Sequence, residues 1–239
     1  MLTKKELKDI QSLDLKKFRD AQGRFLAEGP KIVGELLQLI PDKFEKIYAL
    51  EPWAQQHGHL KKLVQVVNED ELQKIAHTKN PNRVLAVLQQ WPQQAPVLQD
   101  GFCLYLDTIQ DPGNFGTILR IADWFGVTNV VCTPGCADVY NPKVVQSSMA
   151  SIARVAVYYD TDLEWLRKQV VPIYAATLDG TATFSKAHTG ILIIGNESKG
   201  IRKELQALAN YKITIRRRGK AESLNAAVAT GILLSQLLS

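Results

Sequence analysis

Residues 102–132 read FCLYLDTIQDPGNFGTILRIADWFGVTNVVC, and this stretch decides the fold. Residues 102–107 form an apolar run closed by Asp107, the pattern of a buried strand that ends in a turn. Residues 114–125 read as a helix, and Asn114 stands where its N-cap belongs. Residues 129–132 are a second short apolar strand. Strand, helix and strand in that order make a crossover unit of a parallel sheet.

The pattern continues toward the C-terminus. Residues 141–149 read as a helix with Pro142 tolerated in its first turn. A strand follows at 155–159, a helix at 162–169, strands at 173–178 and 191–194, and a helix at 200–209. A strand at 212–216 and a long helix at 223–238 end the chain. This alternation predicts an α/β domain with a mostly parallel sheet covered on both faces. Ligands of such sheets sit beyond the carboxyl ends of the strands.

Toward the N-terminus, helical spacing appears at 4–18, 31–40 and 69–76. Extended runs lie at 25–27, 44–50, 63–67 and 84–88, so a small α/β or α+β sandwich is expected. Phe18 and Phe25 are expected in its core, with base stacking as the alternative. Residues 89–100, QQWPQQAPVLQD, hold two prolines and five glutamines and no apolar period. The expected division is a domain at 1–90, a linker at 91–100 and a second domain at 101–239.

Composition bounds the function. Of 239 residues, 46% are hydrophobic and 22% charged, which excludes disordered and low-complexity classes. Net charge is +5, a mild lean toward a polyanionic partner. Residues 1–90 hold 15 basic and 12 acidic side chains and the rest 14 and 12, so neither part is a basic arm. Three cysteines, Cys103, Cys132 and Cys136, make a disulfide framework unexpected and fit a reducing cytoplasm. Cys132 and Cys136 lack a second pair at zinc spacing, so no metal is expected. The start, MLTKKELKDI, has no apolar core for a signal peptide, and no apolar run is long enough to span a membrane. A soluble, cytoplasmic protein is expected.

Three loops after expected strands carry unusual chemistry. In the first, Pro112, Gly113 and Gly116 shape a turn that permits close backbone approach, and Arg120 follows on an apolar helix. Arg120 is either a salt-bridge partner of a neighbouring helix or a planar cation for a phosphate or hydroxyl. The second loop, Gly195-Asn196-Glu197-Ser198-Lys199-Gly200, lacks the phosphate-loop pattern, and Glu197 argues against a phosphate there. No GxGxxG follows a strand, which disfavours a dinucleotide-binding domain. The third loop holds the densest basic run, Arg216, Arg217, Arg218 and Lys220, before Ser223-Leu224-Asn225. Such a run is either a solvated surface or a phosphate contact. Ser223 is a candidate helix N-cap.

Together the loops resemble the signature motifs of the SpoU family of RNA ribose methyltransferases, TrmH-like members of the SPOUT class. Asn114, Gly116, Arg120 and Ala122 match the first motif; Gly195, Asn196, Glu197 and Gly200 the second; Ser223, Leu224 and Asn225 the third. Residues Phe25, Leu26, Glu28, Gly29 and Lys31, after Lys16, Lys17, Arg19 and Arg24, resemble the small L30e-like substrate-binding domain often attached to this family. Arg216 stands where the family usually has proline. Ser148-Met149-Ala150-Ser151 replaces a turn that often contains glycine.

The resemblance implies a C-terminal α/β trefoil-knot domain, a homodimer, S-adenosylmethionine as cofactor and methylation of a ribose 2′-hydroxyl. Structured RNA, 23S rRNA before tRNA, is the implied substrate. A tRNA enzyme, a drug-resistance rRNA enzyme and a non-catalytic RNA-binding protein are the alternatives. The implied catalytic set is Arg120, Asn114, Glu197, Ser223 and Asn225. Thr177, Leu178, Gly195, Asn196, Gly200, Ile215, Leu224 and Ala226 are the implied cofactor contacts. Arg216, Arg217, Arg218, Lys220, Arg19, Arg24 and Lys31 are the expected RNA contacts.

Overall fold

The computed structural model describes residues 1–77, 82–98, 100–182 and 185–238. Two compact units emerge, residues 1–92 with 140–153, and residues 93–139 with 154 onward.

In the first unit, Thr3 and Glu6 close a capping box on α1 (Lys4–Ser12), and Asn68 and Glu71 close another on α5 (Glu69–Ile75). Each pair satisfies two backbone N–H groups that a helix start leaves orphaned. The helix expected over 4–18 is broken. α1 ends at Ser12 with Leu13 as its C-cap, and α2 (Lys16–Gln22) begins after a turn. Leu13 is fully buried, and the Arg19 guanidinium donates to the Leu13 and Asp14 carbonyls at 2.8 and 2.7 Å. Arg19 thus occupies carbonyls that the end of α1 leaves open.

The strands are β1 (Arg24–Glu28), β2 (Phe44–Ala49), β3 (Val64–Val66) and β4 (Val84–Gln89), in sheet order β1-β4-β2-β3. β4 is antiparallel to both neighbours, while β2 and β3 run parallel. Five of the six β4 residues are buried, as a central strand covered on both faces requires. Helices α3 (Pro30–Leu39) and α4 (Glu51–Gln56) complete the layers. No sequence pattern announced α4. Ile10, Leu13, Leu26, Leu72, Ile75 and Leu85 form the core between α1, α5 and the sheet. Each contributes about 1.5–3 kcal/mol by leaving water.

Phe25 is fully buried as expected, edge-on to Trp91 at 5.7 Å and against Tyr140 at 4.9 Å. Phe18 is not in the core. It is 36% exposed, with Lys17 Nζ 4.8 Å from its ring centroid. The Tyr140 hydroxyl bonds both the Trp91 N–H and carbonyl at 3.2 Å, and α7 (Pro142–Ser148) packs on β1. These contacts place 140–153 in the first unit, although the division at 91–100 puts them in the second domain. The proline-glutamine segment is no free tether either. Trp165 Nε1 donates to the Pro96 carbonyl at 2.7 Å, and Leu98 packs on the core of the second unit.

The second unit carries six strands: β5 (Phe102–Leu106), β6 (Asn129–Cys132), β7 (Ala156–Tyr159), β8 (Ile173–Thr181), β9 (Gly190–Ile194) and β10 (Tyr211–Ile213). Their order is β10-β8-β9-β5-β6-β7, and every pairing is parallel. β5 and β9 are buried throughout, which is why they read as unbroken apolar runs. α6 (Pro112–Trp124) packs against α10 (Ala226–Leu238). The helices expected at 162–169 and 200–209 shrink to α8 (Glu164–Arg167) and α9 (Lys203–Gln206). Asp162 and Leu163 take positive φ of 59° and break the first of these.

One crossing is exceptionally tight. β10 pairs with β8 at Tyr174 and Ala175, then shifts register to meet Thr181. A Cβ on Gly180 would lie 2.6 Å from the Ile213 carbonyl carbon, so only glycine lets the two backbones pass. All three cysteines are free and buried, and Cys136 Sγ accepts from the Ile109 N–H at 3.2 Å. Among the described residues no group of His, Cys, Asp or Glu is placed to hold a metal, and no helix is long and apolar enough to cross a membrane.

Candidate active site

Three loops meet at the carboxyl end of the six-stranded sheet. The first is closed by Asp111, whose carboxylate accepts from the Asn114 N–H at 2.8 Å. Asp111, not Asn114, is the N-cap of α6, and Pro112 occupies the first turn. The Asn114 side chain is thereby released for other work. Its Nδ2 donates to Glu197 Oε1 at 2.6 Å, and its Oδ1 accepts from Asn225 Nδ2 at 2.8 Å.

The direction of this chain is imposed by α10. The first N–H groups of a helix can only donate, so the oxygen of a capping amide must face them. Asn225 Oδ1 accepts from the Ala227 and Val228 N–H groups at 2.9 and 3.2 Å. Its amide nitrogen therefore points to Asn114, whose own nitrogen is turned to Glu197. Asn225 takes the capping role that Ser223 was expected to fill. Ser223 is exposed, outside the helix.

The second loop is a closed turn. Asn196 and Gly200 exchange backbone hydrogen bonds at 3.1 and 2.8 Å. Asn196 Oδ1 accepts from the Ser198 and Lys199 N–H groups, and its Nδ2 donates to the Thr108 carbonyl at 2.9 Å. A Cβ on Gly195 would stand 2.4 Å from Gly200 C and Ile201 N. Arg202 anchors the far side, with its N–H and Nε donating to the buried Asp107 carboxylate at 2.8 and 2.9 Å. Asp107, Asp111 and Arg202 were missed as site-building residues. A carboxylate at a strand end or just before a Pro-Gly turn was the available signal.

A cleft of about 940 Å³ lies between the second and third loops. All eight residues expected to contact a cofactor line it: Thr177, Leu178, Gly195, Asn196, Gly200, Ile215, Leu224 and Ala226. Glu197, Ser223 and Arg216 to Arg218 line it too, whereas Lys220 stands outside on the exposed loop. Leu178 is 80% and Leu224 46% exposed. Neighbouring hydrogen-bond donors and Lys212 hold the Asp179 carboxyl below its ordinary range. Arg120 is exposed on α6, off the cleft lining, and makes no ion pair or hydrogen bond among the described residues. Among the described residues the salt bridge to a neighbouring helix is not formed.

The SpoU rRNA Methylase family matches residues 101–235, a span that holds all three loops. The chain belongs to the SpoU rRNA methylase family. An MRM3-like substrate binding domain matches residues 4–86. The chain is 29% identical to the 23S rRNA (guanosine(2553)-2'-O)-methyltransferase RlmP of Bacillus subtilis, over 97% of this chain and 95% of that protein. Among solved structures, one assigned to the TrmH family of RNA methyltransferases, from Porphyromonas gingivalis, is 35% identical. It superimposes with a TM-score of 0.85, covering 100% of this chain and 98% of that one. An AdoMet-bound rRNA methyltransferase from Sinorhizobium meliloti is 30% identical with a TM-score of 0.86, covering 99% and 95%.

SpoU methylases use S-adenosylmethionine, and the cleft fits it. Gly195 keeps the turn open where any Cβ would fill it, and Leu178 and Leu224 offer apolar cover for an adenine. The RNA contacts expected in the first unit divide. Arg19 is 1% exposed and turned to its own backbone, and Arg24 is paired with Asp9 at 2.8 Å and with Glu45. The Arg19 guanidinium is spent inside the fold, and the Arg24 guanidinium is engaged by two carboxylates. Lys31 is exposed and without a partner among the described residues.

Proposed function

We propose that the protein methylates a ribose 2′-hydroxyl of 23S rRNA with S-adenosylmethionine as donor. The observation that carries this reading is the chain Asn225–Asn114–Glu197, which aims a carboxylate into the cleft that the eight expected cofactor contacts line. Likeness to RlmP over nearly the full length of both proteins favours 23S rRNA over tRNA.

The sulfonium of the cofactor supplies an activated methyl group with a neutral leaving sulfide. The chain must place the hydroxyl in line and lose its proton. A guanidinium offers only N–H donors and no lone pair to take a proton, so Arg120 is no base. Its part is to hold the neighbouring phosphate and stabilise the developing alkoxide. Glu197 has one oxygen held by Asn114, which leaves the other for the hydroxyl or for Arg120. Ser223 lines the same rim and offers a second polar contact. Main-chain groups near Thr177, Gly195, Ile215 and Ala226 hold the cofactor, and Arg216 to Lys220 meet RNA phosphates.

The unit of residues 1–92 acts as the substrate-binding domain, with Lys31 as a phosphate contact. A cytoplasmic homodimer completes the proposal. Trp124, 85% exposed at the end of α6, and Val228, 50% exposed on α10, lie on two helices that pack together and are apolar surface a second copy would cover. The test is transfer of labelled methyl to rRNA from a strain lacking the gene, with the 2′-O-methyl site mapped. Tight RNA binding with no label in any RNA refutes the enzyme reading.

A further inference from the structure

A second cleft, of about 570 Å³, opens at the carboxyl ends of β5, β6 and β7. It lies at the same end of the sheet as the cofactor cleft, whose lining comes from the ends of β8 and β9. The two share a wall. Asn196, on the cofactor side, donates to the carbonyl of Thr108, which faces the second cleft. Arg202, also facing the second cleft, is bonded to Asp107 beneath that wall.

The charged groups of this cleft are not equivalent. Asp160 is buried and already accepts from the Tyr105 hydroxyl and from the Trp165 and Leu166 N–H groups, at 3.1, 2.8 and 3.1 Å. Arg202 is occupied by Asp107 and, at 2.7 Å, by Glu204. Asp162, Arg167 and the Thr161 hydroxyl are exposed and have no partner among the described residues. One guanidinium fork suits a phosphate. One carboxylate and one hydroxyl beside it suit the protons of sugar hydroxyls. Among the described residues no aromatic ring lines the cleft to hold a base.

We propose that this cleft takes one ribose–phosphate unit of the RNA strand, next to the nucleotide whose ribose is methylated. Arg167 holds the phosphate, and Asp162 and Thr161 accept from the sugar. The inference rests on the reading that the protein acts on RNA. A bare anion would leave Asp162 opposed to it, and a bare cation would meet Arg167. An RNA strand is favoured over a free nucleotide because a free nucleotide needs a base pocket, while the shared wall sets this cleft beside the one where the target ribose reacts.

The test is filter binding of a 23S rRNA fragment to the full-length protein, which requires no turnover. Arg167→Glu should raise the RNA Kd about tenfold or more and reduce the salt slope by about one. Arg167→Lys should recover part of the loss, since the charge survives without the fork. Calorimetric binding of S-adenosylmethionine should not move, which shows that the fold survives. Adenosine 5′-monophosphate at millimolar concentration should not compete with the RNA. An RNA Kd in Arg167→Glu within about twofold of wild type overturns the proposal, the scale of an uninvolved surface charge. So does nucleotide binding that Arg167→Glu abolishes while the RNA Kd holds. If wild type binds RNA but transfers no methyl, the functional reading fails, and the Arg167 result still decides the cleft.

Discussion

Asn114→Ala separates stability from chemistry. The substitution removes a 2.6 Å bond to the Glu197 carboxylate and a 2.8 Å bond from the Asn225 amide. A neutral hydrogen bond contributes about 1 kcal/mol net and one to a charged group about 1.5–3 kcal/mol. The partners here are not buried: Asn225 is exposed and Glu197 half-buried. Water replaces both bonds, so the loss of folding stability should stay below about 2 kcal/mol. That is a Tm shift of a few degrees for a chain this long. Transfer should suffer far more, because Glu197 loses the group that fixes its carboxylate. A fall of about 10²-fold in kcat is expected, on the scale at which misplacing a catalytic group acts. The assay is methyl transfer under saturating cofactor, beside thermal melting and cofactor titration. Asn114→Asp should be at least as damaging, since it sets a carboxylate against Glu197. A double-mutant cycle with Asn225→Ala should be strongly non-additive if the three residues act in series. Activity within about threefold of wild type, or additive effects, would refute the relay.

Three further outcomes follow from the geometry. Gly180→Ala and Gly195→Ala drive a methyl into backbone atoms at 2.6 and 2.4 Å, so each should cost about 1–3 kcal/mol or more by chemical denaturation; unchanged midpoints would contradict the close approach. Arg120→Ala should abolish transfer while cofactor binding persists, because Arg120 is exposed and off the cleft lining; loss of cofactor binding would mark it as structural. Arg217→Ala or Arg218→Ala should weaken RNA binding and flatten its salt dependence by about one unit each, and an unchanged slope would make that run mere surface.

Much of the fold was legible because burial writes itself into sequence. β5 and β9 are covered on both faces, and each reads as an unbroken apolar run bounded by turn residues, the pattern of an inner parallel strand. The helices that misled are those whose ends tertiary contacts set. Residues 4–18 keep a helical period, yet Arg19 closes α1 early by taking the carbonyls at its end. Residues 200–209 have helix-forming side chains, but Asp107 holds Arg202 by its backbone N–H, and only Lys203–Gln206 remain helical. Local propensity does not report a carboxylate 95 residues away.

The site divides in the same way. The residue types of the three loops, their order and their glycines were present in the sequence, and with them the cofactor cleft. Which polar group faces which was not. Asp111 displaces Asn114 from the cap, and Asn225 displaces Ser223. Those two exchanges turn three separate polar side chains into one directed chain, because each amide has a donor end and an acceptor end and a helix start accepts only one of them. By itself, then, the sequence determined the parallel sheet, the loops at its end and the chemistry they carry. Only the tertiary structure decided that Arg19 is spent inside the fold and Arg24 is paired with carboxylates, while Arg120 and Arg167 have no partner among the described residues. Charge is a property of a residue, but availability depends on which distant carbonyls and carboxylates the fold brings to it.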